Sequence, residues 1–247
     1  MPAVVILGAS GSIGSTLARS LVASGQHLLL LGRDAEKLRV FSDELNQSFE
    51  AIELSNSDAL LNTLQRFHEQ LGGYCGIVNC IGSLWLKPIQ FTSDEDFQRV
   101  IQTNLFTSFA AVKAGAKFLK ERGGSIVLIS SAAAEIGLHH HESIAAAKAG
   151  IIGMARSAAA SLAAQNIRVN CVSPGMTRTE MTRQIWENPT SEKASQEMHA
   201  LGRIGEPQNI VSMIQFLLDS NNNWITGHVF GVDGGLAKIQ PRRKLTV

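Results

Sequence analysis

The chain of 247 residues reads as an α/β domain: a doubly wound, seven-stranded parallel sheet with helices on both faces. Three observations predict this class. Short apolar runs alternate with longer helical patterns from one end to the other. The runs are apolar at successive positions rather than alternate ones, as in Gly76-Ile77-Val78 and Ser125-Ile126-Val127-Leu128-Ile129, which is how parallel strands covered on both faces read. No repeat, low-complexity segment or Pro/Gly/Ser-rich linker divides the sequence, so residues 1–247 are expected to form one domain.

The elements follow in order. Strands are expected at 3–8, 27–32, 50–54, 75–80, 125–130, 167–172 and 228–232, and helices at 12–24, 34–47, 57–71, 94–121, 143–164 and 207–219. A repeated strand–helix order implies right-handed crossovers within one sheet. Residues 176–206 break the rhythm, being polar and mixed, with Trp186 and Pro189 inside. A long insertion after a strand's carboxyl end commonly covers the ligand crevice of an open sheet, so this stretch is expected to be a lid.

Composition narrows the function classes. Hydrophobic residues make up 45% and charged residues 17%, with a formal charge of +1, so there is no basic field for nucleic acid or an anionic membrane. Apolar stretches such as Leu28–Leu31 are too short to span a bilayer, and a strand begins at Val4 with no leader pattern before it. Cys75, Cys80 and Cys171 show neither paired nor metal-binding spacing. A cytoplasmic protein with a small-molecule substrate, no metal, no nucleic acid and no membrane partner is the expectation.

The first strand runs into Gly8-Ala9-Ser10-Gly11-Ser12-Ile13-Gly14 and then a helix. Glycines permit a tight turn and let backbone N–H groups approach a pyrophosphate at the positive end of the helix. Between a first strand and first helix, the string points to dinucleotide binding. After the second strand, Leu31-Gly32-Arg33-Asp34 carries the choice of dinucleotide. Gly32 stands where an acidic residue would accept ribose hydroxyls, and the Arg33 guanidinium suits a 2′-phosphate. NADP(H) is therefore favoured over NAD(H). The alternative is that Arg33 is a solvated charge and Asp34 only caps the next helix.

Further along, Ser131 is followed thirteen residues on by Ile144-Ala145-Ala146-Ala147-Lys148. This resembles the active-site helix of the short-chain dehydrogenases/reductases, which reads Ser, then Tyr-x-x-x-Lys. The resemblance covers essentially the whole chain, in order. Gly8 and Gly14 match the outer glycines, while Leu7 and Ser12 replace a threonine and the middle glycine. Glu53-Leu54 stands where the family has Asp-Val beside the adenine. Asn79-Cys80-Ile81-Gly82 matches Asn-Asn-Ala-Gly at its first and last residues. Asn104 matches an asparagine that holds a relay water. Pro174, Gly175, Thr177 and Thr179 belong to a loop like the one binding the nicotinamide carboxamide. Gly202-Arg203-Ile204-Gly205-Glu206-Pro207 and Ile225-Thr226-Gly227 … Val232-Asp233-Gly234-Gly235 complete the pattern.

What the resemblance implies is a Rossmann-type fold and hydride transfer between nicotinamide and a carbonyl or alcohol carbon. Ser131 would bind the substrate oxygen, and Lys148 would bind ribose and, one helical turn from position 144, lower a phenol pKa. Ile144 has no phenol, and the only tyrosine, Tyr74, lies far upstream. His139-His140-His141-Glu142 precedes the helix, and His141, three residues before Ile144, is the candidate substitute proton donor. A solvated polar loop is the plainer reading of that cluster, and metal binding a third. The expectation is an atypical NADP(H)-dependent oxidoreductase. A catalytically silent NADP-binding sensor or scaffold, or a non-redox lyase using the same pocket, stays open. The family also implies a homodimer or homotetramer, through helices 94–121 and 143–164 with their small-residue faces (Ala110, Ala111, Ala114; Ala155, Ala158, Ala159, Ala163) and through a C-terminal strand; the alternative is that these alanines only pack on the sheet. The basic tail from Pro241 to Lys244 is either solvated or crosses a subunit boundary.

Overall fold

The structure is a computed structural model that describes residues 2–54 and 56–241. Seven strands appear: β1 Ala3–Leu7, β2 Leu28–Gly32, β3 Ser48–Ala51, β4 Tyr74–Asn79, β5 Gly124–Ile129, β6 Ile167–Pro174 and β7 Val229–Val232. All pair in parallel, in the order β3-β2-β1-β4-β5-β6-β7. The doubly wound class is as expected. Order reverses between β1 and β4, so the crevice at their carboxyl ends is the switch point where an open sheet binds ligands.

Both sheet faces are covered. On one, Val5, Leu7, Ile77 and Leu128 pack against α3 Ser57–His68, α5 Thr107–Phe118 and α6 Glu142–Leu162. On the other, Val4, Ile6, Val78 and Val127 pack against α1 Ser12–Ala23, α2 Ala35–Leu45 and α9 Pro207–Leu218. Successive residues of each central strand therefore enter different cores, which is why the runs are apolar without alternation.

Three expectations need correction. The third strand ends at Ala51, so Glu53 and Leu54 lie beyond it; strand and helix signals are weakest in this short, half-exposed edge strand. The helix expected at 94–121 ends at Phe118 and is not α throughout: α4 Asp94–Ile101 and α5 are joined without a break by a wider π-turn, Gln102–Phe106, where Asn104 is fully buried. The small-residue faces are spent inside the chain: Ala110, Ala111, Ala114, Ala155, Ala158 and Ala159 are buried in its own core, and Ala163 alone of the set is exposed. Arg242, Arg243 and Lys244 of the basic tail lie outside the described residues.

Residues 176–206 leave the sheet after β6 and are largely helical, with α7 Arg183–Trp186 and α8 Pro189–Met198. Asn188 caps α8 by accepting from Ser191 N–H, and Pro189 at the first helical position needs no hydrogen-bond partner there. No helix among the described residues is long and apolar enough to cross a membrane.

Candidate active site

The turn from β1 into α1 is set by close packing of backbone on backbone. Gly8 has φ +78°, and a Cβ at Gly14 would stand 2.3 Å from Gly8 O, so the helix can start this near the turn only with glycine. Gly11 precedes α1 with no side-chain cap and no acidic residue in the first turn. The first N–H groups of the helix, from Ser12, Ile13 and Gly14, thus precede the intrahelical ladder and face the crevice end. Cys80 N–H donates to Leu7 O at 2.9 Å, which brings the segment after β4 alongside this turn.

At the end of β2, Arg33 is exposed and makes no ion pair among the described residues. Asp34 is committed elsewhere: it caps α2 by accepting from Lys37 N–H at 3.0 Å, a contact that also lowers its pKa. Ser10 Oγ lies 3.6 Å from where a Cβ on Gly32 would be. A hydroxyl and an unpaired guanidinium therefore flank the position where no carboxylate stands.

Across the crevice, Lys148, Asn104 and Gly82 come together. A Cβ built on Gly82 would stand 3.2 Å from Asn104 Oδ1, 3.6 Å from Lys148 Nζ and 3.9 Å from the Met181 methyl. Lys148 is buried, and its ammonium donates to Ile129 O at 2.9 Å. Burial lowers its pKa to about 8, against a smaller upward pull from Cys171 and Cys80. One carbonyl for three ammonium protons leaves donors for a ligand's hydroxyls. Burial pushes both thiols up to about 12, so neither is a thiolate at neutral pH. Ser130 Oγ fastens β5 to this helix by donating to Lys148 O at 3.0 Å.

Asn104 braces the loop after β4. Its amide donates to Ser83 Oγ at 2.9 Å and Val100 O at 3.0 Å, and its Oδ1 accepts from Ser83 N–H at 3.1 Å. One lone pair of Oδ1 is left for a further partner. Asn79 likewise donates to Thr107 and Ser108 hydroxyls and accepts from Ile81 N–H. Ser131 Oγ accepts from Ala133 N–H at 3.2 Å, which keeps its own O–H free to donate.

The tyrosine slot is closed by hydrocarbon. Ile144 is only 3% exposed and packs with Val100 and Ala147, with Trp85 against the cluster. Sequence reasoning missed Trp85, whose one signal is its rarity. Its ring lies under Arg99 (5.0 Å) and Lys87 (5.6 Å), which both pair with Asp96. The indole Nε1–H is buried without a partner among the described residues. His141 precedes α6 rather than lying within it, and its Nδ1 contacts His139 O at 2.7 Å. The His139 and His140 ring centroids lie 3.6 Å apart with the rings tilted by 44°, and His140 adopts a left-handed φ of 62°. Among the described residues no group of three His, Cys, Asp or Glu side chains could hold a metal ion.

The segment after β6 reaches over the crevice. Gly175, Thr177 and Thr179 hold it by local bonds: Thr177 Oγ1 donates to Gly175 O at 3.1 Å, and the Thr179 and Thr182 hydroxyls pair at 3.0 Å. Glu180 N–H then donates to Ser12 Oγ at 3.0 Å, joining this segment to the glycine-rich turn. Glu53 is exposed and Leu54 buried past β3, and among the described residues Glu53 makes no hydrogen bond or ion pair with the others.

A parallel sheet whose switch point carries an uncapped glycine turn and a buried lysine defines a dinucleotide-binding α/β protein. The comparisons make this specific. A family model described as enoyl-(acyl carrier protein) reductase matches residues 8–237. The 3-oxoacyl-[acyl-carrier-protein] reductase of Chlamydia muridarum is 31% identical over 242 residues, covering 95% of this chain and 97% of that protein. A short-chain type dehydrogenase/reductase from Mycobacterium ulcerans superposes with TM-score 0.90 at 28% identity, covering 97% and 91% of the two chains. ElxO with NADP bound superposes with TM-score 0.89 at 27% identity, over 96% and 99%. The chain belongs to the short-chain dehydrogenase/reductase family.

Proposed function

We propose that the protein is an NADP(H)-dependent oxidoreductase acting on a carbonyl or alcohol group, with a proton donor other than tyrosine. The observation that carries this is the buried Lys148 ammonium with unspent donors beside Gly82, at the switch point of the sheet. Ser12, Ile13 and Gly14 would hold the pyrophosphate, Lys148 the nicotinamide ribose, and Ser10 and Arg33 the 2′-phosphate. The residues present fit that group, and when bound it supplies hydride chemistry at C4 of the nicotinamide. The carboxamide loop, Pro174–Thr179, and the 176–206 lid exclude water from the crevice. The reductase names of the relatives and the NADP complex of ElxO support carbonyl reduction with this cofactor.

Ser131, with its O–H free, polarises the substrate oxygen. Asn104 keeps the loop after β4 in place and retains an acceptor site for a water. His141 supplies the proton, its Nδ1 anchored on His139 O and its Nε2 left for exchange. The protein acts in the cytoplasm, as a homodimer or homotetramer. One observation favours a second reading, a silent NADP-binding sensor or scaffold: Ile144 is buried in an apolar cluster with Val100 and Ala147, with no ionisable group in its place.

Calorimetry with NADPH and NADH, followed by single-turnover NADPH oxidation across aldehydes and ketones, separates the two. The expected outcome is a preference for NADPH of about tenfold or more and slow turnover that drops in His141→Ala. A rate unchanged by His141→Ala removes histidine from the mechanism. Tight binding with no oxidation at all establishes the silent reading.

A further inference from the structure

Three segments beside the crevice meet on one buried imidazole that sequence reasoning passed over. His199, directly after α8, is 3% exposed. Its Nε2 lies 3.1 Å from Met176 N, and its Nδ1 2.6 Å from Ser195 O. A backbone N–H only donates and a carbonyl only accepts, so the ring is neutral, with its proton on Nδ1. A Cβ on Gly175 would stand 2.7 Å from Nε2, and one on Gly234 3.5 Å from the ring, so the imidazole is wedged between the loops after β6 and β7.

From Met176 the bonding continues toward the crevice. Met176 O accepts from Gly205 N–H and Gly205 O accepts from Arg178 N–H, both at 2.8 Å. Two residues on, Glu180 N–H is bonded to Ser12 Oγ. His199 thus fixes, from behind, the loop that closes on the glycine-rich turn. A cavity of about 470 Å³ adjoins it, lined among others by Met176, Arg203 and Asp233.

A second ring proton would remove the acceptor that Met176 N–H uses. With protons on both nitrogens, Nε2–H would oppose Met176 N–H, donor against donor. The charged groups facing the ring offer no compensation. Asp233 is spent on Gly235 and Ala237 N–H groups, and Arg203, in the cavity wall, carries the same sign. Glu192 of α8 pairs with Arg178, and Lys193 and Glu197 are exposed. No ion pair joins a carboxylate to His199 among the described residues.

We propose that His199 is a positioning residue for cofactor binding: its neutral ring clamps the Pro174–Thr179 loop to the lid helix, and protonation releases that clamp. The inference rests on the NADP-binding reading above, and the two fail differently.

The test is NADPH calorimetry on the wild type, His199→Gln and His199→Leu at roughly pH 8 and roughly pH 5.5, values that bracket free imidazole. Gln Oε1 can accept from Met176 N–H but gains no proton. The cofactor's own phosphate titrates in this range, so the measured quantity is the difference between wild type and His199→Gln. Acidification is expected to weaken the wild type about 5–20-fold more than His199→Gln, a hydrogen bond's worth. At the higher pH His199→Gln should stay within about threefold of wild type, with His199→Leu about tenfold weaker. Amide exchange at Met176 reads the clamp without cofactor, and should accelerate in His199→Leu but not in His199→Gln. Equal affinities and equal Met176 protection in all three proteins at both pH values overturn the inference and leave the cofactor reading standing. A wild type that binds no NADPH at either pH overturns both.

Discussion

The two halves of the crevice are built from different materials. On the dinucleotide side, Gly8, Gly14 and the start of α1 work through backbone geometry, and Gly14 is required because a Cβ would collide with Gly8 O. On the reaction side, Ile144, Trp85, Ser131 and the histidine loop work through side chains from four separate segments. Backbone devices tolerate few residue types and stay recognisable at 31% identity. Side-chain devices can be rebuilt, and here the phenol's place has gone to a branched aliphatic covered by an indole. On the proposed reading, the family's cofactor site persists while its proton chemistry is remade.

The largest effect should come from restoring the phenol. Ile144→Tyr is expected to raise the single-turnover rate of NADPH oxidation about 10²–10⁴-fold, the usual worth of general acid catalysis. Fitting the ring under Trp85 should cost about 1–3 kcal/mol of stability by overpacking, readable as a lower Tm. Double replacement with Trp85→Ala should recover part of that loss. A folded, NADPH-binding Ile144→Tyr protein with no rate gain would break the comparison, since the reaction side would then lack more than a phenol.

Next in size is Lys148→Met. Loss of a charged donor should weaken NADPH binding about 10–100-fold by calorimetry. The apo protein should nonetheless become more stable, because a buried cation with one carbonyl partner is replaced by an apolar chain. Lower stability together with lost affinity would mean that Lys148 holds the fold rather than the cofactor.

The smallest effect is a pH dependence. Lys148 titrates near 8 in the folded chain, against an ordinary 10.5, because burial disfavours its charge. The folded state therefore carries a penalty that is full below about 8 and relieved as pH rises from there toward 10.5. Apo stability should rise over that window by denaturant titration, while NADPH affinity falls as the ammonium loses its proton. Lys148→Met should flatten both curves. A wild-type affinity that does not fall above pH 8 would place the charged form outside the binding contact.

Much of the fold was legible. Seven strands and the reversal of their order follow from continuous apolar runs, since each parallel strand feeds two cores at once. The edge strand β3 was the least legible, because Ser48–Ala51 is half-exposed and short, and its end slipped by three residues relative to expectation. The π-turn at Gln102–Phe106 was invisible, because it exists to bury Asn104 against Ser83, a contact 21 residues away in the chain. In the site, Gly82, Asn104 and Lys148, singled out separately through family motifs, lie side by side, whereas Trp85, Met181 and His199 carried no motif signal in the sequence. Each of these three acts only through what the lid and the loop after β4 press it against.

By itself the sequence determined that this chain folds as a doubly wound sheet with a dinucleotide turn, and that no tyrosine stands at position 144. Local rules suffice for both, because apolar period, glycine placement and residue identity need no distant partner. Only the tertiary structure decided that Ile144 is buried in an apolar cluster with Trp85 against it, that the alanine faces serve the chain's own core, and that His199 bridges Met176 N–H and Ser195 O. Those are consequences of packing density and hydrogen-bond direction between segments remote in sequence, where a few tenths of an ångström separate contact from collision.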